Sequence, residues 1–515
     1  MIDVPVEIQT ADFWTFVMLF ALSMLASYLL APKPPSPPDR QPGEFTNIPT
    51  VEQGTPYHII FGRPPRFKAV MVLWYGGFRA DKWEDKGGAS GFFYYMAFHL
   101  GLSHAHIDGV KQLWFSDQCF WPTYEDPTVY QGDGATSINI SQVNAFGGKH
   151  SQGGLRLTGN ILYGGSSQIQ NTTLKAYQDG TSTPYYKGIT SIVFDDTSYW
   201  GNTTQFPVMD VVLKRTDIHH DGTMMWYIAK AVVDEYYSLN VIHVIRETLT
   251  STIFGRGIPI AKIDSVTFEA AADTLFTEGI GISYVYNPDD GSISDFLKKL
   301  EAIMDGVIYY NHSDGLYKIK LIREDYIEGN LTVYDEDDFS IVSYTRATSF
   351  GVASETIIKY MDIASAKPAT AKDDDIAVML LQGETPVTQI FNYPMITNPN
   401  TAAFIAAREQ DQASHNPAYM KLSVNRSMYA VQRGDVFKIS HPRLTKVGIV
   451  TTVVRALTID RGSLEDGEIT IDVVEEVFKD VSAATTPPVI PTAPSGDGQI
   501  SCFIATINII NETKV

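Results

Sequence analysis

The sequence contains few cysteines, few charged residues and, among the charged residues, few bases. Two cysteines, Cys119 and Cys502, occur in 515 residues, too few for a zinc knuckle, an iron–sulfur cluster or a disulfide framework within one chain. A single Cys119–Cys502 bridge remains possible. Lysine and arginine number 39 against 59 acidic residues, for a formal charge of −20. This balance argues against a general binder of phosphate backbones, which needs clustered bases.

Motifs typical of catalysis or metal binding are also missing. The chain has no P-loop, no G-x-S-x-G and no H-E-x-x-H, the patterns that mark common phosphate, acyl-transfer and zinc sites. His99, His104 and His106 lie in an aromatic stretch without ligand spacing, so a packing role is favoured. The acidic runs Asp335–Asp338 and Asp373–Asp375 lack the calcium-loop pattern. We therefore expect no enzyme, no metal and no cofactor.

Aromatic residues, by contrast, are abundant, at 12% of the chain. They could line a sugar-binding face, or they could pack large subunit interfaces, which favour Tyr, Trp and Phe. The interface interpretation is favoured. With 44% hydrophobic residues, the chain can also form several hydrophobic cores, and its length suggests more than one domain.

The N-terminal residues 1–45 read as a separate arm. Phe13–Ala31 is a run of 19 residues without a charge, about 28 Å long as a helix, and Ala31–Pro42 is a proline-rich spacer. Three interpretations stay open: a transmembrane anchor, a helix buried among other subunits, or a shielded segment that later enters a membrane. The side chains that would make these contacts are Phe13, Trp14, Phe16, Leu19, Phe20, Leu22, Leu25, Tyr28 and Leu29.

The body of the chain changes pattern three times. Residues 46–235 read as short strands, with a strand at Ala69–Tyr75 stopped by Gly76-Gly77 and a long insertion of strands and loops at about 80–190. Thr223–Val233 predicts a strand or a short helix.

Residues 236–330 read as an α+β unit. Asn240, Asp264 and Ser292 each precede an apolar stripe and are suitable helix caps. Leu300 lies in the middle of the third stripe. The turn at Ser313-Asp314-Gly315 predicts a hairpin over Gly306–Ile322.

Residues 331–480 return to strands, interrupted by one helix at about Thr401–Ser414. Residues 481–515 read as a proline-rich linker followed by a short apolar strand. The fold class expected from these patterns is mainly β with an α+β part, plus the N-terminal apolar helix.

Three stretches carry a family resemblance: Asn240–Asp325; a set that joins Arg433–Phe437, Val454-Arg455 and Glu468–Phe478; and Gly54–Gly62. They resemble the tail tip attachment and baseplate hub proteins of long-tailed phages, a family that includes gene-transfer-agent tail proteins. Asn240–Asp325 is similar to the central domain of that family. The family-motif positions are Phe254, Gly255, Gly257, Ile263, Asp264, Phe268, Gly434 and Asp435. Phe254 stands where the family often has Tyr.

The resemblance implies a homotrimeric hub that closes the tail tube, with two β-barrel-like tube domains flanking an α+β central domain. It implies as partners a distal tail protein, a tape measure protein in the lumen and tail fibres or receptor-binding proteins. The protein would be assembled in the host cytoplasm and located at the virion tail tip. Genomic DNA would pass without sequence-specific binding, and the arm could meet a host membrane during infection.

Two alternatives from other functional classes remain open. The N-terminal segment would suit a membrane-anchored surface adhesin. The aromatic residues would suit a glycan-active enzyme.

Overall fold

The computed structural model describes residue 48 and the ranges 58–68, 71–84, 90–115, 118–121, 135–145, 153–178, 183–198, 209–324, 326–346, 352–383, 385–446, 448–462 and 468–476. They fall into two compact units: Lys82–Phe92 belongs to the smaller unit, and the other described residues belong to the larger. Within the smaller unit, a Cβ on Gly91 would lie 2.7 Å from the Trp83 indole. That position therefore excludes a side chain unless the ring moves.

The first part of the body is built from strands, most of which pair into two sheets. The elements are β1 (Ile59–Phe61), β2 (Phe67–Lys68), β3 (Met71–Glu84), β4 (Ser90–Ser103), β5 (Gly109–Phe115), β6 (Gln118–Trp121), β7 (Ala135–Gln142), β8 (Leu155–Leu162), α1 (Thr172–Tyr177), β9 (Thr190–Phe194) and β10 (Met209–Lys214). One sheet has the strand order β2-β10-β5-β6 and the other β3-β4-β9-β8-β7. Their apolar side chains share one hydrophobic core, which includes Phe98, Leu113 and Phe194.

The glycine pair Gly76-Gly77 does not stop a strand, so that prediction was wrong. Strand β3 runs from Met71 through both glycines to Glu84. Gly77 has φ +63°, and a Cβ there would lie 3.2 Å from Asp196 and 3.3 Å from the Tyr177 ring. The glycine therefore serves a close approach inside a long strand, which is a second common use of glycine besides turns.

The central part contains three helices and short strand pairs. Its elements are β11 (Leu239–Asn240), α2 (Val241–Thr250), α3 (Ser265–Glu278), β12 (Gly281–Ile282), β13 (Tyr284–Tyr286), α4 (Ile293–Met304), β14 (Gly306–Asn311) and β15 (Leu316–Leu321). Asn240 caps α2 by accepting a hydrogen bond from the Ile242 amide. Ser292 caps α4 through the Asp295 amide. These two predicted caps and the antiparallel hairpin β14–β15 are confirmed.

Thr223–Val233 forms neither of the predicted elements at full length. It contains the 3₁₀ turn Ile228–Lys230, entered through Tyr227 in the left-handed region at φ 48°, and two isolated antiparallel bridges, Met224 with Ile218 and Val232 with Leu239 of β11. Its backbone amides bond within the segment and to nearby loops, for example Met225 to the carbonyl of Asp217. Pairing is therefore limited to single residues, so no continuous strand forms over this segment.

The last part combines a six-stranded sheet with a smaller helix-covered sheet. Its elements are β16 (Val333–Tyr334), β17 (Phe339–Thr345), β18 (Glu355–Asp362), β19 (Lys367–Asp374), α5 (Ile376–Leu381), β20 (Thr388–Asn392), α6 (Pro399–Ser414), β21 (Tyr419–Val424), β22 (Val436–Ile439), α7 (Pro442–Thr445), β23 (Thr452–Asp460) and β24 (Ile469–Glu475). The orders are β16-β22-β23-β24-β21-β17 and β19-β18-β20. Helix α6 packs on β18 and β19. A mainly β fold with helices is thus confirmed.

The hydrophobic cores link segments that are far apart in sequence. Strand β1 pairs with β13, so Ile59 and Phe61 join the central core while Ile60 joins the first core. Ile358 of β18 and Ile405 of α6 also belong to the central core, whereas the six-stranded sheet has a core of its own. The domain limits expected from the sequence, near residues 46, 236, 331 and 480, stay predictions.

The predicted N-terminal helix, including its nine proposed contact residues, lies outside the described residues. The same holds for the C-terminal linker and strand at 481–515. Among the helices that the structure describes, none has the length and apolar character required to cross a membrane.

Candidate functional site: the junctions of the central domain

A buried ion pair joins the first β-rich part to helix α2. Arg215 follows β10 and Glu247 lies on α2; their side chains are 0% and 2% exposed. The Arg215 guanidinium donates through Nη1 to both Glu247 carboxylate oxygens, at 2.8 and 2.9 Å. Its Nε donates to the Ile60 carbonyl at 2.6 Å. A charge pair this deeply buried holds its elements in one relative position, since separating it would leave an uncompensated charge.

Two adjacent histidines complete this cluster. The His220 amide and ring Nδ1 lie 2.8 and 2.9 Å from Glu247 Oε1, and His219 Nδ1 lies 3.7 Å away. Burial alone would raise the pKa of Glu247. The charge of Arg215 and the contacts with the two histidines outweigh burial and hold that pKa well below its usual value. The ionised form of Glu247 is therefore favoured, and the cluster of Arg215, His219, His220 and Glu247 acts as a structural clamp.

The family-motif turn after α2 packs directly on this clamp. Phe254 is buried, with its ring 5.1 Å from that of His220 and 5.9 Å from that of Phe61. A Cβ on Gly255 would lie 2.2 Å from the Thr248 carbonyl oxygen, so glycine is required by lack of space. Gly257 has φ +65°, so glycine is favoured there by backbone conformation.

The second group of motif positions starts helix α3 and attaches it to the hairpin. Ile263 forms an isolated parallel bridge with Tyr317 of β15, and the Asp264 amide donates to the Tyr317 carbonyl at 3.0 Å. Asp264 occupies the helix-cap position, but its side chain makes no capping hydrogen bond. Phe268 is fully buried in the central core. These residues therefore position α3 against β15.

Gly434 and Asp435 form a third contact, on the same strand β15. Gly434 has φ +84°, and a Cβ there would lie 3.0 Å from Val307 and 3.3 Å from Lys320. Lys320 Nζ lies 2.8 Å from Asp435 Oδ1. The Ile263-Asp264 pair and the Gly434-Asp435 pair therefore each contact β15. The hairpin is thus one of the elements that connect the central part of the chain to the six-stranded sheet.

A second buried ion pair lies behind this turn. Arg455 and Glu476 are each 1% exposed, with Nε 2.6 Å from the carboxylate. The Arg455 guanidinium also donates to the carbonyls of Gly434 and Arg323, each at 3.1 Å. Arg433 Nη1 reaches Glu301 at 3.2 Å. Polar contacts therefore hold the six-stranded sheet to the central domain.

A cleft of about 700 Å³ lies beside this junction, bordered by the six-stranded sheet, β20 and α6. It is rich in carboxylates, but each has an arginine partner. Asp305 lies 3.9 Å from Arg323, Glu409 lies 2.7 Å from Arg408, and Glu476 pairs with Arg455; the fourth pair is Glu475 with Arg346. The paired charges argue for a gap between domains rather than a binding site for a cation.

Within the described ranges, no group of three His, Cys, Asp or Glu side chains is placed to hold a metal ion. His99 is fully buried, and its ring lies 4.4 Å from that of Tyr186, whereas the His106 amide donates to the His220 carbonyl. Cys119 is buried in β6, and Cys502 lies outside the described residues.

Comparison with solved structures decides the fold class. A chain from the virion of a native gene transfer agent particle matches 92% of this protein and 98% of its own length, at 13% identity and a TM-score of 0.54. This protein has that fold. The resemblance to gene-transfer-agent proteins predicted from sequence is confirmed at the level of the fold.

Other solved tail proteins match more weakly. The tail protein from Neisseria meningitidis MC58 covers 76% of this chain and 94% of its own, with 9% identity and a TM-score of 0.27. Prophage tail protein gp18 from Listeria monocytogenes EGD-e covers 73% and 91%, with 10% identity and a TM-score of 0.28. Scores this low carry no argument here. No protein-family model and no curated protein matches the chain.

Sequence reasoning missed both buried ion pairs. Glu247 lies among apolar positions of α2, where seven other residues are also buried. Arg455 is likewise a buried position of a strand. The signal that could have identified them is a charged residue at a position on the apolar face of a helix or strand. Such a residue is buried, and buried charges need partners.

Proposed function

We propose that this chain is a structural hub of a phage-type tail tip, located in the virion. The observation that carries the proposal is the shared fold with a gene-transfer-agent virion protein across nearly the whole of both chains. The buried ion pairs Arg215–Glu247 and Arg455–Glu476 support a structural role, because they join the β-rich parts to the central part of the chain.

The hub would assemble as a homotrimer that closes the tail tube. Each chain offers two β-rich parts, the pair of sheets before residue 214 and the six-stranded sheet, and we assign these as the two tube domains. Three chains would then place six such domains around one lumen. A distal tail protein above, a tape measure protein inside and tail fibres outside are the partners that this assembly needs.

The charge of the chain suits a conduit for DNA. Three copies would carry a formal charge of −60, three times the −20 of one chain. A negative lumen repels phosphates, so the genome would pass without being bound. The hub would also gate the exit of DNA and of the tape measure protein from the tail tube.

We assign the N-terminal segment Phe13–Ala31 to a sheltered position inside the particle, with release toward a host membrane during infection. A charge in its middle, as in Leu22→Arg, would cost about 2.5–3.5 kcal/mol of membrane insertion. If the segment is released toward a membrane, particles with Leu22→Arg should assemble and adsorb but deliver no DNA. If the segment is only sheltered inside the particle, the same substitution should make assembly defective. Normal infection would refute both roles.

Deleting the gene from a producing strain tests the tail role. Electron microscopy is expected to show particles with unfinished or absent tails, with complementation by the wild-type gene as control. Antibody labelling of complemented particles should mark one end of the tail. Normal tails in the deletion strain would refute the proposal. Assembly in the cytoplasm predicts that purified intracellular tails already contain the chain.

The two other functional classes give distinct results in simple assays. A surface adhesin would be found in the membrane fraction of cells without particles, and a chain lacking residues 1–45 would become a soluble folded monomer. A glycan-active enzyme would hydrolyse polysaccharide as purified protein. Either result would replace the hub proposal.

A further inference from the structure

Helix α5 exposes an apolar surface that the fold itself does not use. All six of its residues, Ile376–Leu381, are apolar, and none is buried. Ile376, Leu380 and Leu381 are 66%, 61% and 74% exposed. Helices of globular proteins normally turn such side chains toward a core, so this one is typical of an interaction surface.

Local hydrogen bonds hold this helix in place. The Asp375 side chain accepts hydrogen bonds from the amides of Ala377 and Val378. At the other end, Gln382 Nε2 donates to the Val352 carbonyl at 2.7 Å. The helix is therefore capped at its N-terminus and tied down at its C-terminus, with Val378 and Met379 half-buried and Ile376, Leu380 and Leu381 turned outward.

The surroundings of α5 are acidic. Asp373, Asp374 and Asp375 directly precede it, and Asp411 of α6 is close. The pKa of Asp373 is raised by burial and then by Asp374, Asp411 and Asp375. Lys372 partly offsets this charge, with Nζ 2.7 Å from Glu355 and 3.8 Å from Asp374. A partner surface should therefore be apolar and basic.

The segment 252–266 of the same chain has that complementary character. It exposes Ile253, Ile260 and Val266 by 58%, 62% and 74%. Its charged residues on the surface are Arg256 and Lys262, with Asp264 half-buried. Segment 252–266 thus exposes apolar side chains together with two bases, whereas α5 exposes apolar side chains next to acidic residues.

We propose that α5 of one protomer docks on segment 252–266 of the next, in a heterologous contact between copies of this chain. Two different, complementary patches on each copy generate a ring when the rotation closes. The inference rests on the homo-oligomer in the proposed function and adds the surfaces that form it. Charge complementarity favours this occupant over a second α5, which would bring acid against acid.

Two matched variants test the contact in the full chain. Variant A carries Leu380→Gln and Leu381→Gln; variant B carries Ile260→Gln and Val266→Gln. Each removes exposed apolar side chains without adding charge, so folding should be unaffected, as checked by thermal unfolding. Each is expected to weaken self-association roughly 100-fold. Ile169→Gln, at a side chain 77% exposed elsewhere, is the control and should leave the oligomer intact.

Mixing the variants gives the decisive result. A keeps segment 252–266 and B keeps α5, so A and B together should form heterodimers by light scattering, while each alone stays monomeric. A wild-type oligomer that both variants retain would overturn this contact but leave the hub proposal standing. An effect of A without B would also overturn it, since α5 would then bind elsewhere. A monomeric wild-type chain would refute both this contact and the homotrimer, whereas the gene-deletion experiment would still test the tail role.

Discussion

Replacing His99 with leucine tests how a buried, unpaired histidine limits stability in acid. His99 lies on β4, is 0% exposed, and within the described part of the chain neither of its ring nitrogens has a hydrogen-bond partner. Its neighbour Tyr186 packs on a small apolar cluster of Leu162, Leu174 and Val193. Because burial removes the imidazole from water, it lowers the pKa of His99 to about 3.

The sign and size of the effect follow from proton linkage. The unfolded chain binds a proton near the ordinary histidine pKa of about 6.5, whereas the folded chain binds it only near 3. Stability is therefore unaffected above 6.5, falls as the pH drops below that value, and continues to fall until about pH 3. At pH 5 the wild type should have lost roughly 2 kcal/mol through His99 alone.

Urea unfolding at pH 7.5 and pH 5 measures this loss. His99→Leu is expected to lose roughly 2 kcal/mol less than the wild type between the two conditions. Some acid sensitivity should remain, because burial also lowers the pKa of His243 to about 4. His312 is exposed, and His312→Leu is the control. It should leave the free energy of unfolding unchanged at both pH values. Equal losses in His99→Leu and wild type would refute the reasoning.

Three further substitutions test the central domain. Glu247→Gln leaves the buried Arg215 without its counter-charge and should cost about 3–5 kcal/mol in urea unfolding, whereas Asp314→Asn at the surface pair with Lys318 should have little effect; equal effects of the two variants would contradict the importance of the buried pair. Leu300→Ala, at a side chain 0% exposed in the central core, should lower unfolding stability by about 2–5 kcal/mol; an unchanged melting temperature would contradict its packing. Gly255→Ala should cost about 1–3 kcal/mol through overpacking, whereas Gly329→Ala, where a Cβ meets nothing within 4 Å, should not destabilise; equal effects would show that the turn relaxes.

Local signals in the sequence were enough to predict much of the central domain. Helix α4 has its cap at Ser292 and its apolar stripe within a dozen residues, and hairpin β14–β15 has its turn between its own strands. Such elements depend on neighbours along the chain, so pattern and capping chemistry predict them. The order of the motif residues from Phe254 to Phe268 likewise sufficed to predict the fold that comparison confirmed.

Tertiary structure alone decided which distant residues meet. Strand β1 joins β13 across the whole first part of the chain, and Arg215 meets Glu247 only because β10 and α2 pack together. Gly77 became part of a strand because Tyr177 and Asp196 close over it. In each case the energy comes from burial and pairing between separate elements, a contribution that no local window of sequence contains.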